Sequence, residues 1–478
     1  MKRLLIIMFA GLTLISCNKQ PQQEVKRLHT DWAYNATIYE LNTRQFTPEG
    51  TFAAAEAQLP TLRELGVDII WIMPLQPIGE LGRKGTLGSY YAIKDYCAFN
   101  PEFGTRADFE SFLAKAHELG MKVILDWVAN HTSPDHPWTQ NYTWHERDSL
   151  GNTIVQYDWY DIAALNYDDH NMRLEMIKSM SWWMDSIGID GFRCDVAFEV
   201  PTDFWEQAMD SIRPRHPDMF MLSEAEHPEA QLTNKAFDMY YGWTLHHLMN
   251  DVAQGKKTVA DLWAYFNKAD YLYNQTFTEN KDSILAVLPT EADSLFPAKA
   301  IRMNFTSNHD ENSWSGTEME RMGDAADLFA AFTYVVPGMP LIYTGQEYGN
   351  HHRLKFFEKD TIDIVQNAPQ FEMYKQLNQL RKDNWVLSSN EFGRPMQPLE
   401  VSNDNVFACV RKCQHNTVIG LFNMSADTVE IEVATEGLEG TYHCIPCNKD
   451  IEVQSTTNIT LKPWAWRIWS YVMPLDQR

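Results

Sequence analysis

The segment Asp126-Trp127-Val128-Ala129-Asn130-His131 follows an apolar run at residues 122–125, and this pairing of a strand with a polar end decides the fold. Three further motifs repeat the arrangement: Gly191-Phe192-Arg193-Cys194-Asp195, Leu222-Ser223-Glu224 and Asn308-His309-Asp310. Barrel enzymes place their chemistry on carboxylates at the carboxyl ends of parallel strands. The four motifs therefore predict a parallel barrel with an acidic site at one rim.

Eight apolar runs, separated by amphipathic segments, predict eight parallel strands. They lie at residues 37–41, 68–73, 122–127, 188–193, 220–223, 237–241, 300–306 and 339–343. Helices are predicted between them, for example at 106–119 and 171–187. Eight strand–helix units indicate an α/β protein with a closed (β/α)8 TIM barrel. An open doubly wound sheet is the alternative, but the sequence has no glycine-rich phosphate fingerprint to support it.

The chain of 478 residues has room for such a barrel and a smaller domain. We predict a barrel over residues 31–385, with a short excursion at 132–166 that is rich in Trp, Tyr, Asp and Asn. Alternating strands from 386 to 478 predict a C-terminal antiparallel β-domain, a β-sandwich. Those strands are expected at 405–410, 417–422, 428–433, 441–444 and 464–471.

The N-terminus has the pattern of an export signal. Lys2 and Arg3 precede an apolar stretch at 4–15, which is too short to remain as a membrane span. The stretch ends in Leu14-Ile15-Ser16-Cys17, which resembles a bacterial lipobox and implies cleavage before Cys17 and lipidation of its sulfur. Residues 18–30 would form a tether, and we expect the protein on a bacterial membrane, the outer one, on its periplasmic face or at the cell surface. An ordinary secretory signal is the alternative.

The charge balance narrows the class of partner. The net charge of −24 argues against nucleic acid or an anionic membrane surface, whereas a neutral ligand such as a sugar remains compatible. We expect contact with a membrane only through the lipid anchor, and the oligomeric state stays open. Four cysteines near the C-terminus, Cys409, Cys413, Cys444 and Cys447, leave disulfides, free thiols or a zinc site as alternatives.

In their order the four motifs resemble the α-amylase family of glycoside hydrolases, and the resemblance covers nearly the whole chain. It implies that Asp195 is the nucleophile, Glu224 the acid–base and Asp310 a third carboxylate that holds sugar hydroxyls. Arg193, two residues before Asp195, would share its strand face and keep it ionised. Glu226 faces the same way as Glu224 and is its competitor for the acid–base role.

The resemblance also implies a set of substrate-binding residues. His131 and His309 would donate hydrogen bonds to the hydroxyls of the sugar that is cleaved. Tyr91 would stack on that sugar, with Tyr90 as the alternative. Asp126 would orient its neighbours rather than react.

The implied chemistry is cleavage of an acetal between two sugars, which requires a carboxylate on one side and a proton donor on the other. With the family's geometry, the two carboxyl groups would lie roughly 5–5.5 Å apart, which predicts retention of configuration through a glycosyl-enzyme. The expected substrate is an α-glucan oligosaccharide or polysaccharide. Two alternatives remain: a transglycosylase or isomerase on the same scaffold, and a non-catalytic glycan-binding lipoprotein, which the complete set of carboxylates disfavours.

Two departures from the family pattern bear on whether the chain binds calcium and on which branch of the family it resembles. Many members hold a structural calcium; Asn130 fits it, but Ala164 and Glu199 stand where the family has Asp and His. Since calcium takes six to eight oxygens, we expect no required cofactor and assign no metal ligand, with a structural calcium at this degraded site as the alternative. The segment at 195–200 resembles the neopullulanase and cyclomaltodextrinase branch, although Phe198 replaces its usual Asn, so we favour short maltooligosaccharides, pullulan or cyclodextrins as substrates.

Overall fold

The structure is a computed structural model that describes residues 29–226, 235–267, 300–389 and 393–473. Its first ten strands are β1 Ile38–Leu41, β2 Ile69–Ile72, β3 Lys122–Trp127, β4 His131–Thr132, β5 Ala163–Ala164, β6 Gly191–Cys194, β7 Phe220–Ser223, β8 Met239–Tyr241, β9 Ile301–Asn304 and β10 Met339–Tyr343. All of these except β4 and β5 pair in parallel and form a closed eight-stranded barrel, with β1 hydrogen-bonded to both β2 and β10. The predicted (β/α)8 fold class is confirmed.

Helices follow the barrel strands and cover its outside. The α-helices span Thr43–Phe46, Phe52–Leu65, Arg106–Glu118, His170–Trp182, Thr202–Ile212, Trp243–Ala253, Val259–Phe266, Glu318–Met322, Ala326–Val335 and Pro369–Asp383. The helix that the sequence predicts at 171–187 stops being an α-helix at Trp182 and continues as a π-turn, Trp183–Ile187. Gly188 then ends it with a left-handed backbone, φ 86°, which glycine adopts without steric cost.

Alternation along the strands separates two cores and creates a charged layer. Ile38, Ile124 and Leu341 belong to a cluster inside the barrel, while Tyr39 and Leu125 pack outward against the helices. Because side chains alternate across a strand, the next inward-facing position lies two residues further towards the carboxyl end. Glu40, Asp126 and Arg193 occupy such positions, so a layer of buried charge lies above the apolar filling. These three residues belong to the site described below.

The first glycine of the Gly191-Phe192-Arg193 motif has a steric explanation. Gly191 has φ 155°, and a Cβ at this position would lie 1.9 Å from the carbonyl oxygen of Phe220 in β7. Only glycine therefore allows β6 and β7 to pair here with Arg193 beside Leu222. The motif's glycine thus sets the backbone approach that positions its arginine.

The excursion after β3 and the C-terminal region form separate small sheets. β4 and β5 pair antiparallel at the base of the excursion. The C-terminal strands are β11 Gln397–Pro398, β12 Val406–Lys412, β13 Asn416–Asn423, β14 Val429–Ala434, β15 Gly440–Ile445, β16 Lys449–Val453, β17 Thr456–Leu461 and β18 Trp466–Val472. They form a six-stranded sheet and a two-stranded sheet, both antiparallel. Phe407 of β12 stacks on Trp263 of the barrel at 4.2 Å, which joins the two regions through aromatic contact.

The cysteines do not converge on one zinc site. Cys409 and Cys413 pack with the core shared by barrel and sheet, whereas Cys444 and Cys447 pack with the core of the C-terminal sheets. All six cysteines of the described residues are free thiols. The predicted signal segment, Cys17 and most of the tether lie outside the described residues. None of the helices described is long and apolar enough to cross a bilayer.

Candidate active site

A cavity of about 770 Å³ opens at the carboxyl ends of the barrel strands. Six of the residues singled out from the sequence line it: Tyr91, His131, Asp195, Glu224, His309 and Asp310. Arg193 is fully buried beneath them. Motifs that are far apart in the sequence therefore meet in one cleft, because parallel strands bring their carboxyl ends to the same rim.

Arg193 organises the carboxylates of this cleft. Its Nη1 donates to Asp126 Oδ1 and to Asp195 Oδ1, both at 3.0 Å. Its Nη2 lies 2.9 Å from Glu224 Oε2, an ion pair whose atoms are not aligned as a hydrogen bond. Its Nε donates to the hydroxyl of Tyr241 at 3.0 Å. One guanidinium thus holds the predicted nucleophile on one arm and the predicted acid–base on the other.

The pKa values of the two carboxylates depend on their burial as well as on their contacts with Arg193. Burial, and then the neighbouring Glu224, raise the pKa of Asp195 well above its usual value, and Arg193 only partly opposes them. Burial also raises the pKa of Glu224, again against Arg193. Burial and the neighbouring carboxylate therefore oppose the effect of Arg193 on the pKa of Asp195. Double displacement requires a proton on Glu224 and an ionised Asp195.

The choice between Glu224 and Glu226 follows from their partners. Glu224 lines the cavity and accepts a hydrogen bond from the backbone N–H of Val196 at 2.7 Å. Glu226 Oε2 accepts from the backbone N–H and the hydroxyl of Thr244, both at 2.8 Å. Thr244 lies in the first turn of the helix that begins at Trp243, where a carboxylate is favoured electrostatically. Glu226 is therefore tied to a helix end, and Glu224 is the carboxylate in the cleft.

Tyr91 and His309 form one stacked unit at the cavity wall. Their rings lie 5.4 Å apart at 22°, and the Tyr91 hydroxyl is 2.8 Å from His309 Nε2. Asp310 Oδ2 lies 3.4 Å from the same nitrogen, and the Asp310 side chain is 39% exposed towards the cleft. Tyr90 is instead buried under the guanidinium of Arg44, 4.2 Å from its ring centroid, and does not line the cavity. Of the two tyrosines, Tyr91 is the one placed to meet a ligand.

His131 presents a donor without a protein partner. The side-chain amide of Asn130 lies 3.2 Å from Nδ1, and Nε2 is buried with no hydrogen-bond partner among the described residues. Burial lowers the pKa of His131 to about 4, so the ring is neutral near pH 7. With Nδ1 accepting from Asn130, the proton lies on Nε2. This N–H is suited to a sugar hydroxyl in the cavity that His131 lines.

Comparison with known proteins now identifies the scaffold. The family model described as the α-amylase catalytic domain matches residues 33–161 and 140–366. The chain belongs to the α-amylase family. An α-amylase of Haloarcula japonica is 27% identical over 424 residues, 85% of this chain and 58% of that protein. The crystal structure of an α-amylase from Lactobacillus plantarum is 28% identical with a TM-score of 0.78, covering 92% of this chain and 99% of that one.

A transferase is among the relatives of this α-amylase-family chain. An α-1,4-glucan:maltose-1-phosphate maltosyltransferase of Mycobacterium tuberculosis is 29% identical over 277 residues, 53% of this chain and 38% of that protein. The chain thus spans 58% of the Haloarcula relative and 38% of this one. Membership in the α-amylase family makes it a glycosidase or a related glucan-active enzyme.

The calcium positions of the family do not form an oxygen cage in this chain. The amide of Asn130 donates to Gln156 Oε1 at 2.6 Å, and Ala164, which pairs with His131 in the β4–β5 hairpin, offers no side-chain oxygen. Glu199 accepts a hydrogen bond from the hydroxyl of Tyr157. The residues present do not fit the family's calcium, because its hard cation needs several converging oxygens.

A second polar cluster lies between the Trp243 helix and the turn after Asp310. His246 Nε2 lies 3.1 Å from Glu311 Oε2, and Arg321 Nε is 3.8 Å from the same oxygen. Asn250 Nδ2 lies 3.2 Å from His246 Nε2, and His247 lies nearby. A guanidinium next to the carboxylate disfavours a further cation, so we interpret this group as a link between the Trp243 helix and the turn after Asp310.

Sequence reasoning missed two groups of residues at this site. Glu40 contacts His309, yet it stands alone within an apolar run and belongs to no motif. Several aromatic side chains form the cavity rim: Tyr157, Trp159, Tyr160, Trp314, Phe356 and Phe357. The adjacent pair Phe356-Phe357 lies in a polar loop after β10. Two neighbouring phenylalanines in an exposed loop indicate a binding surface, so this pair could have predicted the rim.

Proposed function

We propose that this protein is a retaining glycoside hydrolase that cleaves α-glucosidic bonds in starch-derived glucans and maltooligosaccharides. The observation that carries the proposal is the placement of Asp195 and Glu224 on two arms of one buried arginine, both lining the same cavity. A pair of carboxylates held close together, one of them protonated, suits double displacement. The finer substrate class is carried by the family resemblance rather than by any one contact.

In the proposed reaction Asp195 attacks the anomeric carbon while Glu224 gives its proton to the departing sugar oxygen. The glycosyl-enzyme bond to Asp195 forms as the glycosidic bond breaks. Glu224, now ionised, then removes a proton from water, and the water oxygen displaces Asp195. Arg193 stabilises the negative charge that moves between these two carboxylates.

His131 and Asp310 hold the sugar hydroxyls in this proposal, and His309 lies beside them in the cavity wall. The neutral His131 donates its Nε2–H, and Asp310 supplies an acceptor on the same cavity wall. Tyr91 provides a ring next to them for contact with the flat C–H face of a sugar. Hydrogen bonds to the ring hydroxyls that strengthen in the transition state add to the rate.

Transfer to a sugar acceptor is the second candidate function. The similarity to a maltosyltransferase supports it, as does the aromatic rim, which offers a binding surface to an acceptor that competes with water. The steps up to the glycosyl-enzyme are the same for both reactions. The two functions differ only in what reaches Asp195 afterwards.

The proposal extends to cofactor and location. We propose activity without a calcium requirement, supported by the positions of Asn130, Ala164 and Glu199, so activity after EDTA treatment should stay within about twofold of the untreated enzyme. We also propose that the protein is exported and lipid-anchored through Cys17, on the sequence pattern described above. Metabolic labelling with a fatty-acid probe, lost in Cys17→Ala, tests the anchor.

Product analysis tests the reaction. The purified protein is incubated with maltoheptaose, β-cyclodextrin and pullulan, next to Asp195→Asn, and the anomer formed first is read by proton NMR. Retaining hydrolysis gives shorter α-configured sugars that the variant does not produce. β-configured first products, or equal activity of the variant, contradict the proposal. Products longer than the substrate favour transfer.

A further inference from the structure

Glu40 is a buried carboxylate with a partner in the active site. It lies on β1, is 0% exposed, and its Oε1 is 2.6 Å from His309 Nδ1. Its other oxygen has no hydrogen-bond partner among the described residues. Burying such a group is costly unless a charged partner compensates. The site therefore retains a costly group whose only close hydrogen-bonding contact in the described chain is His309.

A chain of hydrogen bonds connects Glu40 to the far side of the barrel. His309 Nε2 is 2.8 Å from the Tyr91 hydroxyl, which lies 3.1 Å from Asp126 Oδ2. Asp126 in turn accepts from Arg193, which also holds Asp195. The series runs from β1 to the predicted nucleophile on β6 through five contacts of 2.6 to 3.1 Å.

The direction of each hydrogen bond follows from what each group can donate. Asp126 accepts from Trp71 Nε1 at 3.1 Å and from Arg193, so it is an acceptor for the Tyr91 hydroxyl as well. Tyr91 has a single hydroxyl proton, and it points to Asp126. The Tyr91 oxygen must then accept from His309 Nε2. With an ionised Glu40 accepting from Nδ1, both ring nitrogens of His309 would be donors and the ring would be an imidazolium.

We propose that Glu40 is a positioning residue that keeps His309 doubly protonated, so that His309 holds Tyr91 in place and presents a positive charge to Asp310 and the sugar. The inference rests on the proposed function, which it deepens by adding a residue that acts through His309. Glu40 itself does not line the cavity. Its effect reaches the substrate only through the imidazole ring.

The charges around the ring support this protonation state. Burial alone lowers the pKa of His309, but the carboxylates of Asp310 and Glu40 outweigh burial and Arg193 and raise it to about 9. Burial raises the pKa of Glu40 itself, and His309 opposes that rise. The other titratable or charged groups that face this pair are Tyr91, Asp126, Arg193, Glu224, Tyr241 and Tyr343. Removing the charge of Glu40 leaves Asp310 as the main group favouring the imidazolium.

The variant Glu40→Gln tests the proposal, because glutamine keeps the shape and an acceptor oxygen for Nδ1–H but removes the charge. The ring titration of His309 is followed by NMR on nitrogen-15-labelled histidine and assigned with His309→Asn. We expect the pKa of His309 to fall from about 9 towards or below its ordinary value of about 6.5. An unchanged titration overturns the proposal.

The pH dependence of activity provides the second measurement. The protonated ring is the active form, so loss of its proton at lower pH in Glu40→Gln should reduce kcat/KM most at high pH. We expect the ratio of wild-type to variant kcat/KM to rise from near one at about pH 5 to about tenfold at pH 8. A loss of equal size at every pH indicates a purely structural role and overturns the proposal.

Glu347→Gln is the matched control. Glu347 is also a buried carboxylate, and it accepts from Tyr39, the neighbour of Glu40 on β1, at 2.7 Å. Because Tyr39 points to the outer face of the strand, this variant should leave both the His309 titration and the pH profile unchanged. If wild-type protein cleaves none of the glucans, the proposed hydrolysis fails, while the NMR titration still decides the Glu40–His309 pair.

Discussion

The floor of the cleft, formed by Asp126, Arg193, Asp195 and Glu224, and its aromatic rim are built from opposite kinds of side chain. On the floor, Arg193 and Asp126 are 0% exposed and joined by charged hydrogen bonds at 3.0 Å. On the rim, Trp314 and Tyr157 are 56% and 67% exposed and offer aromatic surface to solvent. Buried charges need all their partners in one geometry, whereas exposed aromatic rings adapt to a ligand. In the proposed function, bond cleavage belongs to the floor and substrate choice to the rim.

The largest expected effect comes from the floor. Asp195→Asn removes the predicted nucleophile but keeps a group of the same size next to Arg193. We expect kcat to fall by about 10⁴-fold or more, with KM changed little, because no glycosyl-enzyme forms. Steady-state kinetics on maltoheptaose measures this, and a thermal melt confirms the fold. Activity within tenfold of wild type removes Asp195 from the mechanism.

Arg193→Lys tests whether the floor works as a unit. Lysine keeps one charge but lacks the fork that reaches Asp126, Asp195 and Glu224 together. We expect kcat to fall by about 10²- to 10³-fold and the free energy of unfolding to drop by about 3–5 kcal/mol, since buried carboxylates lose their partner. Chemical denaturation and kinetics measure the two effects. A stable and active variant would mean that a point charge is sufficient.

The pH profile distinguishes the acid–base on the floor from its neighbours. Burial raises the pKa of Glu224 above 4.5, and a general acid must be protonated to act. Activity therefore falls about tenfold per pH unit above this pKa. Glu224→Gln, assayed on an aryl α-glucoside whose leaving group needs no proton, should lack this alkaline limb. A limb that persists in the variant belongs to another group.

The smallest effect is expected at the rim. Trp314→Ala removes an exposed aromatic wall that stands 5.5 Å from Phe356 by ring centroids. We expect KM for maltoheptaose to rise by about three- to tenfold with kcat unchanged, because only ground-state binding is lost. Tyr142→Ala is the control, since Tyr142 is 65% exposed but does not line the cavity. A fall in kcat for Trp314→Ala would erase the distinction between rim and floor.

Much of the fold was readable because apolar periodicity reports burial directly. The run at 122–127 matches β3 residue for residue, and 220–223 matches β7. The run at 188–193 was displaced, since β6 begins only at Gly191 after the left-handed turn at Gly188. Strand ends depend on turn geometry and pairing partners, which an isolated apolar run does not report.

The site residues that stand in motifs could be predicted from the sequence, whereas those that stand alone could not. Asp195, Glu224 and Asp310 stand in motifs and line one cavity in the structure. Glu40 gave no signal, because its partner His309 is 269 residues away. Glu224 is favoured over Glu226 because it directly follows the apolar run, and the structure adds that Glu224 lines the cavity while Glu226 contacts Thr244.

The sequence by itself determined the barrel, the C-terminal sheets and the set of carboxylates, because each is written in local periodicity or in a short motif. Only the tertiary structure decided the electrostatics: that Arg193 contacts both carboxylates, that burial raises the pKa of Asp195, and that Glu40 faces His309. Charge interactions depend on distance and on the exclusion of water. Both quantities exist only once distant strands have come together.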